Sequence, residues 1–225
     1  MSPKFLWSAA AVAALLTMIG LAGADRILAE WIHPSSLVHA PVFVHGNTWL
    51  DILTLKTITH GYLGLVLLLA GLTWWRIRPA SADAKLLALA GASSFATTFS
   101  IGLLKNVFGR LRPDAIFESG DWTQTWLAGG SSFPSGHSGF YFGLALPLAA
   151  AYPRTRWLLL PIAAFIALAR LDQDLHFLSD VTASVVIAAA FALAAGTLLN
   201  RWAAMPATST NTESRTGASA CPSGT

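Results

Sequence analysis

Six long apolar runs constrain the fold of this chain more than any other feature of its sequence. They cover approximately residues 5–23, 57–75, 85–105, 138–153, 157–171 and 178–200. A helix needs about 20 apolar residues to cross a bilayer, and the fourth and fifth runs fall short of this length. The sequence predicts an all-α bundle of six transmembrane helices over residues 1–202.

The composition excludes an ordinary soluble protein. Only 11% of the residues are charged and 54% are hydrophobic, whereas soluble domains carry roughly a quarter charged residues. The net charge of +3 is spread between apolar runs and forms no basic stripe, so nucleic acid is not an expected partner. The single cysteine, Cys221, excludes an internal disulfide and a thiolate metal site.

The two ends of the chain differ in character. Residues 203–225 are rich in Ser, Thr and Gly without an apolar period, which predicts a disordered tail. The apolar run after Lys4 ends in Ala22-Gly23-Ala24 and is similar to a signal peptide. It is longer than the usual core of about 7–15 residues, which favours a retained first span over a cleaved leader.

The basic residues between the spans predict the orientation. With the N-terminus inside, seven basic residues lie on the inner side and six on the outer side. Three of the outer six, Lys105, Arg112 and Arg170, belong to the motifs described below. Without them the ratio is seven to three, as expected when basic residues prefer the cytoplasm. All three motifs then face the outer side of the membrane.

The first motif is Lys105-x6-Arg112-Pro113. On a continuous helix, residues seven apart share a face, and Pro113 is expected to end that helix. Both cations could then bind one anion; alternatively, they snorkel to lipid headgroups. Arg110 lies on another face and is predicted to contact headgroups.

The second motif is the Ser- and Gly-rich turn that contains Pro134-Ser135-Gly136-His137. Such a turn at a helix start leaves backbone N–H groups free to bind an anion, and Gly136 allows close approach. His137 would stand beside that anion. The alternative is a plain helix cap with a surface histidine.

The third motif is Arg170-x5-His176-x3-Asp180. His176 and Asp180 are four residues apart and so neighbours on one helix face. The carboxylate could fix the imidazole tautomer and leave the other nitrogen free to attack, while Arg170 offers two donors to a phosphate. A structural His–Asp pair is the alternative.

Together the three motifs resemble the type-2 phosphatidic acid phosphatase superfamily, which comprises integral-membrane lipid phosphatases related to vanadium haloperoxidases. The resemblance covers roughly residues 55–200 and includes the six-helix plan. The chain departs from the pattern at Ala169, where the family commonly has Ser. The matching residues are Lys105, Arg112, Pro113, Pro134, Ser135, Gly136, His137, Arg170, His176 and Asp180.

This resemblance implies a role for each motif residue. His176 would be the nucleophile that forms a phosphohistidine, oriented by Asp180, and His137 would protonate the leaving oxygen and then activate water. Three cations suffice to neutralise phosphoryl charge, so no metal or other cofactor is expected. The residues expected to hold the phosphate are Lys105, Arg112, Arg170, Ser135 and Gly136.

The resemblance implies a multi-pass phosphatase of a bacterial plasma membrane that hydrolyses a lipid phosphate or diphosphate at the outer leaflet. Undecaprenyl diphosphate is the first substrate expected; phosphatidylglycerophosphate, phosphatidate and the lipid A phosphates are alternatives. A lipid phosphotransferase and a non-catalytic protein that binds anionic lipids are the rival functions. The sequence does not indicate an oligomeric state.

Overall fold

The computed structural model describes residues 1–34, 40–59 and 62–204, and within these ranges it contains helices and no β-strand. The all-α prediction is therefore confirmed. Most of the predicted tail, residues 205–225, lies outside the described part. The helices are α1 (Pro3–Ile19), α2 (Asp25–Ile32), α3 (Pro41–Leu53), α4 (Lys56–Thr59), α5 (Leu63–Ile77), α6 (Ala82–Phe108), α7 (Pro113–Ser119), α8 (Gly136–Ala151), α9 (Arg156–Asp172) and α10 (Leu178–Ala204).

Three helical segments of the described chain are long and apolar enough to cross a membrane. They are Pro3–Ile32, Ala82–Ser119 and Leu178–Leu198. The other three predicted spans correspond to α5, α8 and α9, which have 15, 16 and 17 residues. The chain has the character of a membrane protein, and the count of six spans stays a prediction.

The N-terminal helix is packed into the bundle. Leu6 of α1 is fully buried, together with Leu146 of α8 and Ala188 and Ala192 of α10. A π-helical turn over Gly20–Ala24 then separates α1 from α2. The buried contacts of α1 are those of a bundle helix, and retention of the first span stays a prediction.

Small residues bring α5 and α6 into backbone contact. A Cβ at Gly71 would lie 2.3 Å from the backbone nitrogen of Ala88, and one at Gly91 would lie 2.2 Å from that of Leu68. Such close approach is how helices associate in lipid, where packing replaces the hydrophobic effect. These glycines hold α6 close to α5.

Gly109 ends α6, four residues before Pro113. It adopts a left-handed conformation with φ 50°, and its N–H donates to the carbonyl of Lys105, a common way for a helix to terminate. Pro113 instead begins α7, a favoured proline position. The prediction that Pro113 ends the helix was wrong, and Lys105 and Arg112 do not share one helix.

Candidate active site

Backbone hydrogen bonds join the three motif segments at one end of the bundle. The N–H of Ser132 donates to the carbonyl of Arg110 at 2.9 Å, which links the first motif to the second. The N–H of Ser135 donates to the carbonyl of Asp180 at 3.0 Å, which links the second motif to the third. The motifs therefore form one site.

The carboxylate of Asp180 lies at the centre of this site and is fully buried. Its Oδ2 accepts hydrogen bonds from the hydroxyl of Ser132 at 2.5 Å and from the N–H of Phe177 at 2.8 Å. Its Oδ1 accepts from the guanidinium of Arg110 at 2.6 Å. A buried carboxylate needs such partners, because an unpaired charge away from water is costly.

Arg110 is buried, so the prediction that it contacts lipid headgroups was wrong. Besides Asp180, its guanidinium donates to Asp25 at 2.7 Å and to the hydroxyl of Ser179 at 2.7 Å. Asp25 also accepts from the backbone N–H of Ser179 at 2.8 Å. The network Asp25–Arg110–Asp180 thus ties the beginning of α2 to the first turn of α10.

His176 lies just before α10 and not on the helix face that the sequence predicts. Its Nδ1 is 3.5 Å from Oδ2 of Asp180, and the side chain is 3% exposed. Its backbone N–H donates to the carbonyl of Arg170 at 3.2 Å. Burial lowers the pKa of His176 to about 4, against the opposing effect of Asp180, while Lys105 and Arg170 lower it further. The imidazole is therefore neutral at pH 7, as a nucleophile requires.

The three predicted cations lie near one another, and two of them, Lys105 and Arg170, are within electrostatic range of His176. Lys105 donates through Nζ to the carbonyl of Ser131, and Arg112 donates to the hydroxyl of the same residue at 3.4 Å. Lys105 is also within electrostatic range of Arg112 and Arg170. The buried Nε atoms of Arg112 and Arg170 have no hydrogen-bond partner in the described part of the chain. Clustered cations with unpaired donors are suited to a phosphate.

The second predicted histidine, His137, stands in the first turn of α8 and is also within electrostatic range of Arg170. Its Nε2 lies 3.0 Å from Oδ2 of Asp51 in α3. Arg170 is therefore within electrostatic range of both histidines. One anion at Arg170 would be within the influence of both imidazoles.

The two turn residues predicted to donate to phosphate differ in their availability. Ser135 is fully buried and caps α8, where its hydroxyl accepts from the N–H of Ser138 at 3.4 Å and its own N–H is engaged by Asp180. A Cβ at Gly136 would lie 3.9 Å from Cε of Lys105. Gly136 thus adjoins the cation cluster, whereas the backbone of Ser135 holds the site together.

Lys56, in α4, is a fourth cation of the site that the sequence patterns did not reveal. It is within electrostatic range of Asp51 and Arg170, and burial lowers its pKa to about 8 against the opposing effect of Asp51. Its Nζ lies 6.0 Å from the centre of the Phe140 ring. Lys56 is therefore a cation of the site that loses its charge near pH 8.

Asp51 and Asp25 are two further residues of the site that the sequence patterns did not predict. Both lie within the segment 25–56, which carries none of the three motifs. A carboxylate of an otherwise apolar membrane protein is costly unless it is paired, and this rule alone points to Asp25 at the end of the first apolar run. Nothing in the sequence pairs Asp51 with His137.

No group of three or more His, Cys, Asp or Glu side chains within the described ranges is arranged to hold a metal ion. The carboxylates that face the two histidines, Asp51 and Asp180, are each bound to several donors. The site as described offers cations and imidazoles for an anion.

The site thus combines a buried His–Asp pair, nearby Lys and Arg side chains and a second histidine at a helix start. The chain belongs to the PAP2 superfamily, which matches residues 85–204. This confirms the family that the three motifs predict. The match leaves out the segment that carries Asp51 and Lys56.

Two similar proteins, both from Rhizobium, share one name. A lipid A 1-phosphatase of Rhizobium etli is 29% identical over 154 residues, which cover 65% of this chain and 63% of that protein. A lipid A 1-phosphatase of Rhizobium johnstonii is 34% identical over 110 residues, which cover 46% of this chain and 45% of that protein. The chain thus spans less than two thirds of the length of either relative. No solved structure gives a significant match.

Proposed function

We propose that this chain is a phosphatase that hydrolyses a phosphate ester of a membrane lipid through a phosphohistidine intermediate on His176. One observation carries the proposal: the buried, neutral ring of His176 has the Asp180 carboxylate 3.5 Å from its Nδ1 and is within electrostatic range of Lys105 and Arg170. The carboxylate on Nδ1 leaves Nε2 as the attacking atom. The cations stabilise the negative charge of the phosphoryl group as it is transferred.

In the first step, Nε2 of His176 forms a bond to phosphorus while the bond from phosphorus to the lipid oxygen breaks. The leaving oxygen takes a proton from His137, whose cationic form the negative charge of the bound phosphate favours over the neutral ring of the empty site. The phosphorylated ring of His176 keeps its Nδ1 proton, which faces Asp180. Lys105, Arg112 and Arg170 bind the phosphoryl oxygens throughout.

In the second step, water attacks phosphorus and gives a proton to His137. The bond between phosphorus and Nε2 breaks, which releases inorganic phosphate and restores both imidazoles to their starting states. Each proton lost by His137 in the first step is thus regained in the second. No group outside the described site is needed for this balance, so the expectation of metal-independent turnover stays part of the proposal.

The names of the two Rhizobium relatives favour a lipid A 1-phosphate as substrate. Undecaprenyl diphosphate, the substrate that the family resemblance of the motifs favours, is the second candidate. Both carry a phosphate on a large lipid, and the described cations recognise the phosphate only. The distribution of basic residues supports a site on the outer face of the plasma membrane, towards the periplasm.

Phosphate release from purified full-length protein in detergent tests the proposal. The panel contains bisphosphorylated lipid A, undecaprenyl diphosphate, phosphatidylglycerophosphate and phosphatidate, each with and without a chelator. We expect release from at least one lipid, unaffected by chelator, and none from His176→Asn. His45→Asn is the matched control, because His45 is an exposed histidine of α3 and should leave release unchanged.

Other outcomes of this assay would indicate a rival function or contradict the mechanism. Radiolabel that moves to a second lipid instead of free phosphate would indicate a phosphotransferase. Binding of the lipids without release from any of them would indicate a non-catalytic protein. Full release by His176→Asn would contradict the mechanism, and release that stops with chelator would contradict its independence of metal.

A further inference from the structure

The site contains a second histidine–carboxylate pair besides His176 and Asp180, and this pair includes a residue outside the segment that matches the family. Oδ2 of Asp51 lies 3.0 Å from Nε2 of His137. The two side chains are 14% and 24% exposed, so water competes little for this contact.

Asp51 is held in place by further hydrogen bonds. The hydroxyl of Tyr141 donates to its Oδ1 at 2.9 Å, and the amide of Asn47 donates to its Oδ2 at 3.4 Å. The hydroxyl of Thr54 lies 3.1 Å from that of Tyr141. Burial favours a raised pKa for Asp51, but the bonds from His137 and Tyr141 and the charge of Lys56 bring it below the ordinary value. Asp51 is thus a fixed, ionised acceptor.

The helix that carries Asp51 is itself anchored to the bundle. The ring of Phe43 lies 5.2 Å from that of Phe165 in α9. A Cβ at Gly46 would lie 2.6 Å from the ring of Phe165, so α3 approaches α9 closely. Asp51 therefore reaches His137 from a packed element.

The two pairs use opposite ring nitrogens. Asp180 faces Nδ1 of His176, whereas Asp51 faces Nε2 of His137. In the described part of the chain, no hydrogen bond to Nδ1 of His137 is present, so this nitrogen is available for proton transfer. A ring nitrogen's protonation state is set by the bond that the other nitrogen makes.

We propose that Asp51 is a positioning residue that keeps the Nε2 proton on His137, so that Nδ1 exchanges the proton with the lipid oxygen and then with water. When Nδ1 carries its proton, the ring is cationic and Asp51 stabilises that charge. When Nδ1 has given the proton up, the bond to Asp51 keeps the neutral ring in the tautomer that can accept one from water. The inference rests on the proposed function for its kinetic consequence only.

Leaving groups of different basicity test this role in the full-length protein. General acid catalysis contributes about 10²–10⁴-fold, and it matters most when the leaving oxygen is basic. We expect Asp51→Asn to lower kcat/KM at least about tenfold for an alkyl phosphate, and much less for p-nitrophenyl phosphate. A neutral amide can turn its own N–H towards the ring and favour the wrong tautomer. Asp51→Glu should recover part of the loss.

Asp83→Asn is the matched control. Asp83 is also a carboxylate bonded to a tyrosine, since it accepts from Tyr152 at 2.6 Å, and it is exposed. This variant should behave as the wild type with both substrates. Equal losses for the two leaving groups in Asp51→Asn, or a loss no greater than that in Asp83→Asn, would overturn the role of Asp51.

Nitrogen NMR of ¹⁵N-histidine-labelled protein tests the tautomer without any turnover. The signal of His137, identified by its absence in His137→Asn, should show a protonated Nε2 and a bare Nδ1 near pH 8 in the wild type. Asp51→Asn should shift this balance, and Asp83→Asn should not. A wild type with the proton on Nδ1 would overturn the inference even if phosphate release confirmed the proposed function. A wild type with the expected tautomer but no phosphate release would contradict the proposed function alone.

Discussion

Replacement of Arg110 by Met should destabilise the protein strongly, because Arg110 is the only described cation bonded to the carboxylates of Asp25 and Asp180. Its guanidinium donates to them at 2.7 and 2.6 Å, and their side chains are 8% and 0% exposed. Removal of one partner of a buried pair costs about 3–5 kcal/mol, since a charge is left without compensation. At about 2–4 °C per kcal/mol for a chain of this size, the thermal midpoint in detergent should fall by about 6–20 °C.

Arg26→Met is the matched control for this variant. Arg26 pairs with Glu30 at the same distance of 2.7 Å, but the two side chains are 59% and 45% exposed. Exposed pairs contribute about 0–1 kcal/mol, so the midpoint should change little. The double variant Asp25→Asn, Arg110→Met should regain part of the loss, because one orphaned carboxylate becomes neutral. Equal midpoints for Arg110→Met and Arg26→Met, measured by tryptophan fluorescence, would refute this account of the buried network.

Three further variants test other parts of the molecule. Lys56→Arg should lessen the weakening of phosphate binding between about pH 7 and 9, because the pKa of Lys56 is lowered to about 8. Inhibition by inorganic phosphate measures this, and identical pH profiles for the variant and the wild type would contradict it. Gly91→Ala should lower the thermal midpoint, since its Cβ would lie 2.2 Å from the backbone of Leu68, whereas Gly102→Ala in the same helix meets no described atom within 4 Å and should not. The pKa of His176 in the folded protein, about 4, lies below the value of about 6.5 in the unfolded chain. The unfolded chain therefore binds the proton first, and the stability of the protein should fall as pH drops from about 6.5 to 4. If His176→Asn loses as much stability as the wild type over this pH range, the prediction is contradicted.

The sequence predicted the members of the site better than their geometry. His176 and Asp180 do contact each other, but His176 precedes α10 and reaches the carboxylate from a loop. Lys105 and Arg112 meet at Ser131 although Gly109 ends the helix between them. Residue types at fixed spacings identify a chemistry, whereas the path of the chain between them depends on caps and turns that only the folded structure resolves.

Residues that act through long-range contacts were beyond sequence reasoning. Arg110 appeared to face lipid because its spacing from Lys105 put it on another helix face, a conclusion that assumed an unbroken helix. Asp51 lies 86 positions before His137, and no local pattern connects them. The all-α class, by contrast, follows directly from the apolar runs, because they depend on composition alone.

The phosphorylated intermediate is the most direct test of the account. We would incubate the His137→Ala variant with ³²P-labelled p-nitrophenyl phosphate, whose leaving group needs little protonation, and quench in alkali, in which phosphohistidine survives. Loss of His137 should slow the attack of water, so label should accumulate and map to His176. Two results would contradict a covalent mechanism at this residue. One is label that persists in the double variant His176→Asn, His137→Ala. The other is phosphate release by the wild type when neither the wild type nor His137→Ala ever becomes labelled.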